Sequence, residues 1–190
     1  MTTALIVLGL LLILLTYGVF IYNGLVQIKH NVSQAWSNID VLLKQRHDEL
    51  PKLVEACRQY KEFEQETLQR VTEARARVQK AREAGDIPAL GLAETALRGG
   101  LGQIFATVEA YPELKTHEQF MQLMLRISGL EDAIADRREL YNEAVNINNV
   151  RIEQFPDILV ARLFGYAAQP LLRFAAAEKA DVDMKALLGA

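Results

Sequence analysis

The chain is poor in the residues that build several kinds of functional site. Its 190 residues include a single cysteine, Cys57, so neither an intrachain disulfide nor a thiolate metal cluster can form. The three histidines, His30, His47 and His117, are scattered and form neither HExxH nor the Glu-x-x-His pairs of a di-iron bundle. We therefore predict no metal site, and we interpret Cys57 as a small buried apolar residue on a helix.

Charge and motif content exclude further classes. A formal charge of −3 gives no basic face for phosphates, so we predict no nucleic-acid partner. GxGxxG, P-loop and GxSxG motifs are absent, and the glycines near Gly99 lack the Lys and Ser or Thr of a phosphate loop. The charged residues 46–49 are the closest approach to an acid–base group. They occupy consecutive helical positions, so their side chains point in different directions and do not converge on one site. We predict no catalytic residue and no cofactor.

What the chain does have is a long apolar run at its start. Residues 4–21 carry no charged side chain, and the first charge after them is Lys29. This length is close to the ~20 residues that a helix needs to cross a bilayer. The run is too long for a typical signal-peptide core, and no clear A-x-A cleavage site follows it. We predict an uncleaved transmembrane anchor over residues 1–27, with the lipid bilayer as a partner. Aromatic residues lie where an interfacial belt is expected: Tyr17, Phe20 and Tyr22.

The side of the membrane that holds the following domain is a weaker inference. Lys29 and, further away, Lys44 and Arg46 follow the span, and no Lys or Arg precedes it. The positive-inside rule therefore favours a cytoplasmic domain at a bacterial inner (cytoplasmic) membrane. Large domains are exported regardless of a few charges, so periplasmic or cell-surface placement stays open.

Beyond the anchor, apolar residues recur at helical spacing, and no stretch alternates with the period of two that strands require. We predict an all-α fold over residues 28–177: an elongated antiparallel helical bundle with coiled-coil-like packing. The first helix is expected to run from the bilayer to about Phe63, with a bend at Pro51. Along one face of this helix, residues separated alternately by four and three positions form a line that we call its stripe and expect to be buried. Its members are Val32, Trp36, Ile39, Leu43, Arg46, Leu50, Leu53, Cys57 and Tyr60.

Three further helices follow in the prediction. The second covers residues 66–84, and a turn with Asp86 as N-cap and Pro88 in the first turn opens the third. Glycines in the third helix either permit close approach of a neighbouring helix or mark a mobile break. Pro112 is expected to open the longest helix, and Pro156 is expected to end it. Arg137 or Arg138 fills a gap in the stripe of this helix. That stripe contains Phe120, Leu123, Ile127, Leu130, Ile134, Tyr141, Val145, Asn148, Ile152 and Phe155.

Polar groups on these stripes have a structural and a functional interpretation. Buried charges at Arg46 and at one of Arg137 and Arg138 would need partners such as Asp40, Glu64 or Glu131. A seam Asn148 can fix register or oligomeric state. The functional alternative is a polar pocket inside the bundle.

The C-terminal part is predicted as a final helix over residues 158–177 that closes the bundle, followed by a flexible tail at 178–190. The alternative is an amphipathic segment on the membrane surface.

Several separated motifs follow one another in order over nearly the whole chain. They begin with YNGLV at residues 22–26 and WSNIDVLLKQRHDELPKLVEACRQYKEFE at 36–64, and continue with TEARARV at 72–78 and YPELK at 111–115. The FP pair at 155–156 and LFGY at 163–166 complete the series. Positions on the longest helix belong to the same pattern: Glu131, Ile134, Arg138, Tyr141, Asn142, Val145 and Asn148. Together these motifs resemble the LemA family.

The resemblance implies a membrane-anchored helical bundle of bacterial type and brings no established activity. Phe63 stands where the family commonly has a histidine, and Ile147 replaces an aromatic residue; both changes remove polar groups and indicate packing. Candidate structural or interaction residues are Trp36, Asp40, Arg46, Pro51, Glu64, Glu131, Arg138, Tyr141, Asn142 and Asn148.

Three functions remain open from sequence. The main hypothesis is a non-enzymatic scaffold or interaction protein that forms a homo-oligomer and contacts other membrane or envelope proteins. The second is a membrane-shaping or lipid-organising protein that uses its C-terminal segment. The third is an unrecognised hydrolase, which requires a pocket that the sequence does not reveal.

Overall fold

The computed structural model describes residues 1–174, and the predicted tail at 178–190 lies outside them. The elements are α1 (Thr2–Cys57), α2 (Gln65–Ala84), α3 (Ile87–Ala110), a 3₁₀ helix (Pro112–Thr116), α4 (Glu118–Glu153) and α5 (Asp157–Leu163). The prediction of an all-α fold is confirmed, and the described residues contain no strand.

The chain forms two compact units, and α1 and α4 each contribute to both. The first unit contains Met1–Leu43 and Asp132–Leu171. The second contains Lys44–Glu131 and, among the described residues, the chain from Leu172 to Phe174. Each unit therefore combines residues that are far apart in sequence.

The first helix changes character along its length. Its apolar side chains from Leu5 to Phe20 are exposed, and α1 is the one helix among the described residues that is long and apolar enough to cross a membrane. From Ile21 onward its apolar side chains are mostly buried. The predicted stripe is confirmed by these buried members: Val32, Ile39, Leu43, Arg46, Leu50, Leu53 and Cys57.

The predicted end of this helix at Phe63 is wrong. The amides of Gln59 and Tyr60 donate to carbonyls three residues earlier, at Ala56 and Cys57, which tightens the last turn. The helix ends at Cys57, and the chain then turns so that Phe63 is buried. α1 runs through Pro51 as one helix, and the bend expected there stays a prediction.

The hairpin of α2 and α3 forms as the turn residues predict. Gly85 has φ of 66°, the left-handed conformation that glycine adopts without strain, and its amide donates to the carbonyls of Ala81 and Arg82. Asp86 Oδ1 accepts a hydrogen bond of 2.9 Å from the amide of Ala89. The N-cap assignment is confirmed.

The glycines of α3 do not break it, because the helix is continuous from Ile87 to Ala110. A Cβ atom on Gly100 would lie 2.6 Å from Val71 Cγ2, whereas Gly99 and Gly102 face open space. The close-approach interpretation therefore holds at Gly100, where α2 packs against α3.

The longest soluble helix does not open at Pro112. Leu114 and His117 donate to the carbonyls of residues three positions earlier, which gives the 3₁₀ helix Pro112–Thr116, and Leu114 is buried beneath it. α4 begins at Glu118 and its stripe ends at Ile152, because Phe155 is 80% exposed. Arg138 is the half-buried member of the arginine pair, and Arg137 is exposed.

The final helix is also shorter than predicted. α5 has 7 residues, and Gly165 with φ of 71° follows it. From there to Phe174, the last described residue, the chain forms no helix. The Asn149 side chain pairs with the Gln169 backbone, as Nδ2 donates to the Gln169 carbonyl (2.9 Å) and Oδ1 accepts from the Gln169 amide (2.8 Å). This side chain therefore holds the segment on α4.

Candidate functional site

A charge cluster lies inside the second unit, where α1, α3 and α4 each contribute. Arg46 Nη1 donates to Glu131 Oε1 at 2.5 Å, and Arg46 Nη2 donates to Glu94 Oε1 at 2.5 Å. Arg98 Nε donates to the second Glu131 oxygen at 2.8 Å. Two arginines and two glutamates therefore form one chain of ion pairs, which we call the charge cluster.

The charge cluster is closed to solvent at its centre. The side chains of Arg46 and Glu94 are 1% and 0% exposed, and Arg98 covers the rim with its guanidinium 5.3 Å from the Phe174 ring centre. Charges removed from water in this way must be paired, because an unpaired ion in the interior is strongly destabilising. The arrangement binds helices together and leaves no open face at Arg46 for a ligand.

Burial and pairing act in opposite directions on these groups. Burial raises the pKa of Glu94, and the Arg46 guanidinium opposes that rise. Burial disfavours the charged form of Arg46, but the carboxylates of Glu94 and Glu131 outweigh it and raise the Arg46 pKa. The arginine is therefore permanently charged, and the cluster depends on it.

The sequence identified part of this cluster. Arg46 was predicted on the seam, and Glu131, one of the three partners named for buried charges, pairs with it. Glu94 was missed, although it lies between Leu90 and Leu97 at steps of four and three, which is the spacing of the α3 stripe. Glu64 is exposed before α2, so naming it as a partner of buried charges was wrong.

The other candidate residues lie in the first unit, apart from Pro51, which is exposed on α1. Trp36 packs edge-on against Tyr141 with ring centres 5.7 Å apart, and the Tyr141 hydroxyl donates to the Pro170 carbonyl at 3.2 Å. Asn148 is buried and donates to the Asn149 side chain, which holds the C-terminal segment. Half-buried positions with interactions of their own complete the set: Asp40, Arg138 and Asn142.

An aromatic cluster lies elsewhere in the second unit. Phe63 and Phe120 pack with ring centres 6.1 Å apart, and Tyr60 contacts both of them and His117. The predicted packing role of Phe63 is confirmed by its 8% exposure. Ile147, for which packing was also predicted, is 49% exposed, so within this chain that interpretation is wrong.

A second polar contact joins α1 to α2. Arg75 Nε donates to the His47 carbonyl at 2.9 Å, and Arg75 Nη2 lies 2.7 Å from His47 Nε2. Burial lowers the pKa of His47, and the positive charge of Arg75 lowers it further. Neutral imidazole is therefore the form that fits this contact.

This contact predicts a pH dependence of stability. Because the folded chain holds the His47 pKa below its ordinary 6.5, it binds fewer protons there than the unfolded chain. The free energy of unfolding should fall as the pH decreases through 6.5, and this loss should be smaller in His47→Gln. Chemical denaturation of the full-length protein in mild detergent at several pH values measures it. Exposed His30→Gln is the control, and equal pH slopes for the wild type and His47→Gln would contradict the assignment.

In residues 1–174 no group of three or more His, Cys, Asp and Glu side chains is placed to hold a metal ion. These polar groups form ion pairs with one another and hydrogen bonds from side chains to the backbone.

Comparison with known proteins supplies the family. The family model described as LemA family matches residues 35–185. Protein LemA of Metamycoplasma hominis is 28% identical over 185 residues, covering 94% of this chain and 83% of that protein. Magnetosome protein MamQ 2 of Paramagnetospirillum magneticum and magnetosome protein MamQ of Magnetospirillum gryphiswaldense are each 24% identical over 168 residues, and in both cases the match covers 76% of this chain and 62% of the relative. With the family model matching most of the chain, the protein belongs to the LemA family.

Proposed function

We propose that this protein is a non-enzymatic scaffold of the membrane that self-assembles and presents its helical bundle to other membrane or envelope proteins. The observation that supports it is α1, in which an exposed apolar stretch and the buried stripe of the bundle belong to one helix, Thr2–Cys57. A flexible tether would let the bundle diffuse around its anchor. A continuous helix fixes the bundle at a defined distance from the bilayer, as a scaffold requires.

An apolar face on α4 supports self-assembly. Leu140, Ile147 and Val150 are 48%, 49% and 45% exposed. The spacings of seven and three residues place them on one side of the helix, away from buried Tyr141 and Val145. We call these three residues the α4 stripe. Large apolar side chains at heptad spacing are typical of helices that pair with another helix, and a second copy presents the same stripe.

The location that we propose is a bacterial inner (cytoplasmic) membrane with the bundle in the cytoplasm. Relatives come from bacteria, and Lys29 follows the candidate span, as the positive-inside rule favours. Labelling of a cysteine at exposed position 92 by a membrane-impermeant reagent, in intact and in opened cells, tests the side.

The mass of the full-length protein in mild detergent tests self-assembly. We expect a defined oligomer for the wild type and a shift to monomer for Leu140→Glu/Ile147→Glu, because carboxylates on the α4 stripe would be buried without partners. Leu92→Glu on α3, where the leucine is 72% exposed, is the matched control and should keep the oligomer.

Either of two outcomes would refute the self-assembly proposal. One is a wild-type monomer at every protein concentration, after which partners should be sought by crosslinking at the bundle surface. The other is an oligomer that survives the paired glutamates. A chain lacking residues 1–20, measured beside the full-length protein, shows whether the anchor contributes to assembly.

A further inference from the structure

The C-terminal part of the first unit carries large apolar side chains on its surface. Phe155 is 80% exposed, Leu159 60%, Leu163 77% and Phe164 56%. Four of the ten positions from 155 to 164 are therefore large apolar side chains that lie exposed. Contiguous exposed apolar side chains in a folded domain mark a surface that something apolar covers.

The place of α5 in the first unit indicates what covers it. Ile21 and Leu25 of α1 are 6% and 1% exposed and form one buried cluster with Ile152 and Ala161, against which Val160 and Tyr166 pack. The Phe164 ring lies 4.6 Å from the Tyr22 ring. α5 therefore packs on α1 at residues 21–25, directly after the exposed run that ends at Phe20.

The depth of this contact follows from helix geometry. Residues 4–21 extend for roughly 27 Å at 1.5 Å per residue, which is close to the ~30 Å hydrocarbon thickness of a bilayer. With the run in the hydrocarbon, residues 21–25 reach the headgroup level, and so does the helix that packs on them. Leu159 and Leu163, one helical turn apart, share a face of α5, and buried Asp157 and Ala161 share another.

We propose that α5 is an interfacial helix, which inserts Leu159 and Leu163 into the headgroup region of the bilayer that α1 crosses. The proposal rests on the membrane anchor of the proposed function. α1 and α5 then hold the first unit to one leaflet at two places, and the orientation of the first unit against the bilayer is fixed. Arg162, exposed on α5, is placed to meet lipid phosphates at the same depth.

Spin labels on the full-length protein in phosphatidylcholine and phosphatidylglycerol vesicles test this proposal. Leu163→Cys, Leu12→Cys and Leu125→Cys are each labelled with a nitroxide, and collisions with oxygen and with a water-soluble nickel complex are measured. Burial raises the pKa of the native Cys57 thiol to about 12, so this cysteine resists labelling, and the unsubstituted protein measures any background. Leu125 is 67% exposed on α4 in the second unit and is the aqueous control.

The expected result is an oxygen-to-nickel collision ratio at position 163 severalfold above that at 125 and below that at 12. Lipid-like collisions at 12 with water-like collisions at 163 would overturn the interfacial helix and leave the anchor intact. Water-like collisions at 12 would overturn both. Low collision rates with both reagents at 163, together with spin–spin broadening that disappears on dilution with unlabelled protein, would show that a second copy covers this face and would also overturn the proposal.

Discussion

Replacing Arg46 with methionine is expected to lower the free energy of unfolding by about 3–5 kcal/mol, the cost of breaking a buried ion pair by removing one partner. Methionine fills a similar volume but donates no hydrogen bond. Glu94 would then remain fully buried without its hydrogen-bonded cation, the Glu131 carboxylate would repel it, and Arg98 would be the remaining positive charge that acts on it.

Thermal and chemical unfolding of the full-length protein in mild detergent measures this effect. For a chain of this size, the loss corresponds to a fall in melting temperature of roughly 10 °C. Arg126→Met is the matched control, because Arg126 also pairs with a glutamate of α1, Glu49, but is 61% exposed and should cost less than about 1 kcal/mol. Adding Glu94→Gln to Arg46→Met should restore part of the loss. Equal stability of the Arg46 and Arg126 variants would show that the charge cluster does not hold the helices together.

Alanine at Gly100 and at Gly99 should change stability in opposite directions. The new Cβ at position 100 would lie 2.6 Å from Val71 Cγ2, on a stiff β-branched side chain, so α2 and α3 must move apart. Overpacking of this kind costs typically 1–3 kcal/mol. At Gly99 the Cβ meets no neighbour, and alanine should stabilise α3 by about 0.5–1 kcal/mol through its higher helix propensity.

The two glycines are adjacent on one helix, so the comparison removes differences in helix propensity. Denaturation midpoints of both variants, with Gly102→Ala as a second open position, give the result. A stabilised Gly100→Ala variant would mean that the α2–α3 contact adjusts without cost. The glycine would then serve no packing purpose.

Heptad spacing predicted the helices well because burial on one face dictates it. The stripe on α1 was predicted nearly residue by residue, and Arg46 was placed on the seam by its step from Leu43 alone. Glu94 satisfies the same rule between Leu90 and Leu97, so the same spacing could have identified it. Spacing in such a bundle identifies buried positions, and chemistry then shows which of them must be paired.

Elements without periodicity were predicted poorly. The start of α4 depended on hydrogen bonds three residues apart in the Pro112–Thr116 turn, and apolar spacing does not report these. The Asn149 side chain holds the C-terminal segment by pairing with the Gln169 backbone, and such a contact depends on tertiary position. The sequence offered LFGY at residues 163–166 as a motif, but the packing of Tyr166 against Ile21 and Leu25 required the structure.

The partners of α1 are synthesised long after it. Arg46 pairs with Glu131, which lies 85 positions later in the sequence. Because ribosomes add roughly 5–20 residues per second, Glu131 is synthesised roughly 4–17 s after Arg46. Throughout this interval the buried stripe of α1 that begins at Val32 is already synthesised but lacks its α4 partner. Translation order therefore leaves this stripe uncovered by α4 until the last long helix is made.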